Sequence, residues 1–115
     1  MPSRHPLSGG AGAPLAIEVA RRRSVVVVTV SGEIDAHTSP QLRSCLLDQV
    51  AQGSGRTVLI DLTAVTFCDS TALGVLVGTH RRLQGEGRRL EICAASPSVR
   101  HLFEVSGLDH VLHFG

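Results

Sequence analysis

Thr66-Phe67-Cys68-Asp69-Ser70-Thr71-Ala72-Leu73-Gly74-Val75 is the stretch on which the fold turns: an apolar strand pattern breaks at Asp-Ser-Thr and a helical pattern begins. An Asp/Ser/Thr cluster between a strand and a helix offers side-chain oxygens to the first free backbone N–H groups, beside the positive end of the helix dipole. A serine placed there is exposed and chemically addressable, and a phosphate would be well received. Spacing alone leaves two readings open: Asp69 and Ser70 only cap the helix, or the serine carries chemistry.

Working outward, Leu73, Leu76, Val77, His80 and Leu83 share one helical face after Ser70, and the run ends near Gly85 to Gly87. Arg89 to Ala94 follows as a strand, then Ser96-Pro97 as an N-cap with proline behind it. The apolar stripe Val99, Leu102 and Phe103 comes next, then Gly107 as a left-handed C-terminal cap, and His110 to Phe114 closes as a strand.

In the other direction, Thr57 to Leu62 reads as a short buried strand, and before it Leu42, Cys45, Leu46 and Val50 repeat at helical spacing until Gly53-Ser54-Gly55. That helix has two competing starts: Thr38 with Gln41 as a capping box, or Ser39 with Pro40 at the first helical position. Gly32 to His37 reads as a loop. Val25 to Val30 is a β-branched run of the kind buried on both faces, and Leu15, Ile17 and Val19 alternate with Ala16, Glu18 and Ala20 as in an edge strand. Arg21 to Ser24 joins the two as a hairpin turn.

The resulting order is β-β-α-β-α-β-α-β, an α/β fold in a single small domain over residues 15–115, with residues 1–14 expected as a flexible Gly/Pro/Ser-rich tail. Each strand-helix-strand unit makes a right-handed crossover to a parallel neighbour. If sequence neighbours are sheet neighbours, the helices fall mainly on one face of a mostly parallel sheet with an antiparallel N-terminal edge strand. Such a sheet has no reversal of strand order, so the usual ligand crevice is missing, and a binding surface is expected rather than a pocket.

Composition narrows the function classes. The 115 residues are 43% hydrophobic and 18% charged, with three Phe and no Trp or Tyr, which calls for an aliphatic core. Net charge is +1 and the basic residues are scattered, so nucleic-acid binding is not favoured. All eleven basic residues are Arg, which removes P-loop and Schiff-base lysine chemistry. Cys45, Cys68 and Cys93 show no disulfide or zinc spacing and read as reduced core thiols. No stretch is long enough to span a bilayer and none resembles a secretory leader, so a cytoplasmic location is expected, with no membrane, metal or cofactor.

The loops at Gly32 to His37 and Cys68 to Thr71 both follow carboxyl ends of parallel strands, so Asp35, Asp69 and Ser70 are expected as neighbours. Several spaced motifs now bear on identity: Gly32-Glu33-Ile34-Asp35, Asp61-Leu62-Thr63 leading into Phe67-Cys68-Asp69-Ser70-Thr71, Ser96-Pro97-Ser98-Val99 with Leu102-Phe103, and Ser106-Gly107-Leu108. Together, from Val25 to Phe114, they resemble the STAS family, specifically bacterial anti-sigma factor antagonists.

The resemblance implies a non-enzymatic regulator in which Ser70 is the phosphoacceptor, with Thr71 the lesser candidate, Asp69 the motif aspartate and Asp35 the loop aspartate. It implies as partner an anti-sigma factor that is also a serine kinase, bound by the unphosphorylated antagonist, and a metal-dependent serine phosphatase that resets the switch. A small-molecule ligand is not expected. The family usually has glycine where this chain has Ala72, whose methyl is expected close to Ser70.

Other residues keep two readings. Gly74 and Gly78, one turn apart, either pack the helix onto the sheet or receive a partner backbone. His80 reads as structural, His37 as a loop residue, and Arg21 to Arg23 as a solvated turn. Two functions compete with this one: a STAS subunit that keeps the fold but binds a partner constitutively, and, from another class, a small serine hydrolase using Asp35, His37 and Ser70. The hydrolase lacks the glycines of a nucleophile elbow, replaced here by Cys68 and Ala72.

Overall fold

A computed structural model describes residues 3–4, 15–52, 57–108 and 112–114. Its strands are β1 (Ser3–Arg4), β2 (Ala16–Arg21), β3 (Val25–Ile34), β4 (Thr57–Cys68), β5 (Leu90–Ala95) and β6 (His113–Phe114). Its helices are α1 (Ser39–Ala51), α2 (Ser70–Gln84) and α3 (Pro97–Ser106). All six strands form one sheet in sequence order, antiparallel from β1 to β3 and parallel from β3 to β6. Sequence neighbours are therefore sheet neighbours, and the sheet has no switch point.

Across the middle of the sheet, Val19, Val28, Ile60 and Ile92 stand in register and are all buried. They share the core with Leu42 and Leu46 of α1, Leu76 and Leu83 of α2, and Val99 and Phe103 of α3. Among the described residues the core is aliphatic apart from Cys45 and Phe103. Residues of opposite parity, such as Val25, Val27 and Leu59, are only partly covered. The run Val25 to Val30 is thus not buried on both faces as its composition suggested. Sequential strand order puts every crossover helix on the same side, and β-branched residues suit a strand whether or not both faces are covered.

Two strands run further than their sequences indicated. β3 continues through the expected Gly32 loop to Ile34, and β4 continues past Leu62 to Cys68. The extensions pair with each other from Ser31↔Ala64 to Ile34↔Cys68, with register shifts between Thr29 and Ser31 and between Gly32 and Glu33. Gly32 takes φ 101°, which only glycine adopts readily. β5 pairs with β4 no further than Leu62, and there Ser96 takes over: its N–H donates to the Leu62 carbonyl (3.2 Å) and its hydroxyl to that of Val65 (2.7 Å). Ser96 is the N-cap of α3 by position, but its side chain serves the sheet instead. The β3–β4 ribbon that results carries the candidate site at its tip.

The helix ends follow ordinary capping chemistry. Gly107 takes φ 76°, and its N–H reaches the Glu104 carbonyl at 3.2 Å, as expected of a left-handed cap. At the C-terminal end of α1, the buried Arg88 guanidinium donates to the carbonyls of Gln49 (3.1 Å) and Val50 (3.2 Å) and pairs with Glu86 (3.2 Å). Cations satisfy the orphan carbonyls and negative pole of a helix end in this way. His80 is buried in the core, whereas of the cysteines only Cys45 is; Cys68 and Cys93 are partly exposed.

Ser3–Arg4 pairs beside Val19 and Glu18, inside the stretch expected as a tail, while residues 5–14, Gly53-Ser54-Gly55 and His110 lie outside the described residues. The closing strand is described as His113–Phe114, parallel to Glu91 and Ile92.

Candidate functional site

The tip of the ribbon sets the geometry. Ile34 and Cys68 are register partners, and the Asp69 N–H donates to the Ile34 carbonyl at 3.1 Å. Asp35 and Asp69, the next residue on each strand, therefore leave the sheet side by side. One leads into α1 and the other into α2, so both helices begin at the same edge, as the sequence required.

At the α2 entry, Asp69 is the N-cap in extended conformation (φ −106°, ψ −176°), and its Oδ1 accepts from the Thr71 N–H at 2.9 Å. The Thr71 hydroxyl also donates to that oxygen and is partly buried. Ser70, the first helical residue, is exposed, and its hydroxyl makes no hydrogen bond among the described residues. The sequence left both hydroxyls as candidates; their surroundings separate them. Thr71 is part of the cap, and Ser70 is open to a reagent.

At the α1 entry the same residue types are used differently. Asp35 Oδ1 accepts from the N–H groups of His37 and Thr38, both at 2.9 Å. The hydrogen bond from Thr38 is the main reason that the Asp35 carboxyl titrates below its ordinary value. The buried Thr38 hydroxyl accepts from the Asp35 N–H and donates to the Glu33 carbonyl, each at 2.9 Å. Thr38 is thus the N-cap of α1 by position without capping it by side chain, and the Thr38/Gln41 capping box does not form. Asp35 bonds the backbone of His37, not its imidazole, so the arrangement a hydrolase triad needs is not assembled.

Ala72 is fully buried. Its methyl is part of the core, whereas Ser70, two residues before it, is exposed. Gly74 and Gly78 are exposed, and a Cβ added at either would meet nothing within 4 Å. Packing of the helix onto the sheet therefore does not account for them, although each costs about 1 kcal/mol relative to alanine. Ser70, Gly74 and Gly78 follow one another at every fourth residue along one side of α2.

A feature the sequence did not disclose lies on the other side of the ribbon. Among the described residues, Phe67 and Val105 are the large apolar residues left exposed, at 49% and 72%. With Cys68, Ser98, His101 and Leu102 they line an open groove of about 390 Å³ beside the Asp69 turn. Phe67 belongs to a strand whose register shifts just before it, and a shift of that kind reverses the face on which alternation places a side chain. Burial pushes the Cys68 thiol up to about 11, with Asp69 next to it adding to the rise, so the thiol stays protonated at neutral pH. Among the described residues no group of His, Cys, Asp and Glu is arranged to hold a metal ion, and no helix is long and apolar enough to cross a membrane.

The STAS domain family model matches residues 16–115. The anti-sigma F factor antagonist of Paenibacillus polymyxa is 31% identical over 98 residues, covering 85% of this chain and 84% of that protein. Among solved structures, an anti-sigma factor antagonist from Mycobacterium paratuberculosis superposes with a TM-score of 0.79 at 33% identity, covering 87% of this chain and 84% of the other. The anti-sigma factor antagonist SpoIIAA in its unphosphorylated form gives 0.74 at 28% identity, covering 86% and 87%. Bacillus SpoIIAA in its phosphorylated form gives 0.68 at 27%, covering 86% and 90%.

Proposed function

The chain belongs to the STAS domain family, and on that premise we propose that it is an anti-sigma factor antagonist switched by phosphorylation of Ser70. In this reading the unphosphorylated chain binds an anti-sigma factor that is also a serine kinase, and a sigma factor is released. The kinase then transfers the γ-phosphoryl group of ATP to Ser70 Oγ, which loses its proton as ADP departs, and binding ends. A metal-dependent serine phosphatase hydrolyses the phosphoserine and restores the free hydroxyl. The chain supplies no catalytic residue of its own, and the role belongs to the cytoplasm, where ATP and sigma factors are.

The observation that carries this reading is the contrast of hydroxyls: Ser70 is exposed and, among the described residues, without a hydrogen bond, whereas Thr71 is tied to Asp69. Names of relatives and the existence of SpoIIAA in two phosphorylation states support it. The electrostatics agree. Phosphoserine brings about −1.5 to −2 charge, and at a helix N-terminus negative charge is stabilising by about 0.3–1 kcal/mol, so the fold accepts it. Buried against a partner beside Asp69 without a cation, the same charge costs several kcal/mol. Binding therefore changes while folding does not.

The partner surface in this reading comprises Asp35, Asp69, Ser70, Thr71, Gly74 and Gly78, flanked by the groove at Phe67. The alternative, constitutive binding without phosphorylation, drew its support from Ala72, whose methyl is buried in the core rather than presented at this surface. Incubation with the anti-sigma factor kinase of the same organism and ATP, followed by mass spectrometry, is expected to place one phosphate on Ser70 and none on Ser70→Ala. A phosphate that persists in Ser70→Ala, or none in the wild type, refutes the switch.

A further inference from the structure

Building on that reading, we propose that the groove between α1 and α2 receives an acidic helix of the anti-sigma factor, with Arg43 and Arg82 pairing with its carboxylates. The groove holds about 110 Å³; Leu47 and Val75 line it with Gly74 and Gly78, and Arg43 comes from α1 and Arg82 from α2. Both arginines are exposed, and among the described residues neither makes an ion pair or a hydrogen bond.

Each arginine has a test for an internal explanation. Arg82 lies in the last turn of α2, where a cation complements the helix dipole. Arg43 is the fifth residue of α1, beyond the reach of either pole. Asp48 and Glu86 share the adjoining concavity with Arg82, but Glu86 is committed to Arg88 and Asp48 forms no ion pair with Arg82. Among the described residues the two cations are thus left on the rim of one groove with no carboxylate paired to either, which is the charge complement of an acidic occupant.

The shape of the groove selects a helix. Two glycines one turn apart remove the side-chain ridge from α2, so that a third helix can settle into the α1–α2 furrow with its backbone close to that of α2. Nothing among the described residues requires that ridge to be missing, because a Cβ added at either glycine would meet nothing within 4 Å. Ser70 precedes Gly74 by four residues on the same side, so an element seated in the groove extends toward the phosphoacceptor. A phosphate on Ser70 then confronts an acidic helix and repels it, which gives the switch a specific opponent.

The test compares the full chain with two variants by titration calorimetry against the unphosphorylated anti-sigma factor of the same organism, at low and high salt. Arg43→Glu/Arg82→Glu is expected to bind at least tenfold more weakly and to lose most of the salt dependence that the wild type shows. Gly74→Ala/Gly78→Ala is expected to melt at a higher temperature than the wild type and yet to bind at least tenfold more weakly. A folding defect cannot produce that pair of opposite changes. Wild-type affinity in the charge-reversed variant overturns the proposal, as does a wild-type dimer that the charge reversal dissociates, since the groove would then belong to a second copy. If the wild type does not bind the anti-sigma factor at all, the proposed function fails and this inference with it.

Discussion

The entries to α1 and α2 make an instructive pair. Both follow register-paired residues, Ile34 and Cys68, and both begin with an aspartate and a hydroxyl residue close behind. At α1 the hydroxyl of Thr38 is buried and holds Asp35 and Glu33, so the polar groups are spent on the turn itself. At α2 the aspartate and Thr71 satisfy each other, and the hydroxyl of Ser70 is left over. The same local chemistry yields a rigid corner in one place and an addressable group in the other, and accessibility makes the difference.

Four experiments would break or sharpen this contrast. Ser70→Glu is expected to weaken binding to the anti-sigma factor by a hundredfold or more, because an uncompensated buried charge costs about 3–5 kcal/mol, while Ser70→Ala binds like the wild type. Fluorescence anisotropy with labelled chain reads both. Equal affinities for all three proteins would reduce Ser70 to a cap residue.

Thr38→Val is expected to lower folding stability by about 1–3 kcal/mol in urea denaturation, since it strands the Asp35 N–H and the Glu33 carbonyl. Its counterpart Ser70→Ala is expected to change stability by less than about 0.5 kcal/mol. Should the two prove alike, the proposed asymmetry of the corners is wrong. Asp69→Ala removes the acceptor of the Thr71 N–H and is expected to cost about 1 kcal/mol by the same measurement.

The smallest effect concerns acid. The folded-state value of Asp35 is depressed below its ordinary value of 3.8, so the stabilisation it gives is present above pH about 4 and fades as the pH falls through the folded-state value. Urea midpoints from pH 5 downward are expected to fall more steeply for the wild type than for Asp35→Asn. Parallel curves would remove Asp35 from the account of the α1 corner.

The sequence showed one corner better than the other, for physical reasons. Asp69 as a cap, the stripe through Leu76 and Leu83, and the sequential α/β order were legible because caps and helical periodicity are local signals. The reach of β3 to Ile34 and β4 to Cys68 was not, because the register shifts and the left-handed Gly32 interrupt alternation and imitate a turn. The Thr38 capping box failed for a related reason: Asp35, three residues earlier, claims the hydroxyl first. Phe67 and Val105 gave no warning of their exposure, since one sits on a shifted strand and the other on a helix whose apolar stripe was already complete. The meaning of Gly74 and Gly78 needed coordinates, because the space over a glycine is invisible in a sequence.

Sheet order carries one more consequence, for how the chain reaches this structure. Each strand from β2 onward is laid against the one made just before it, and no later segment has to be inserted between two strands already paired. Each parallel pairing closes over a single strand-helix-strand unit rather than over the whole chain. A chain emerging from the ribosome can thus add one strand and one helix at a time to a growing edge, with Leu62, Ile60 and Val58 of β4 in place before β5 arrives to cover their free side.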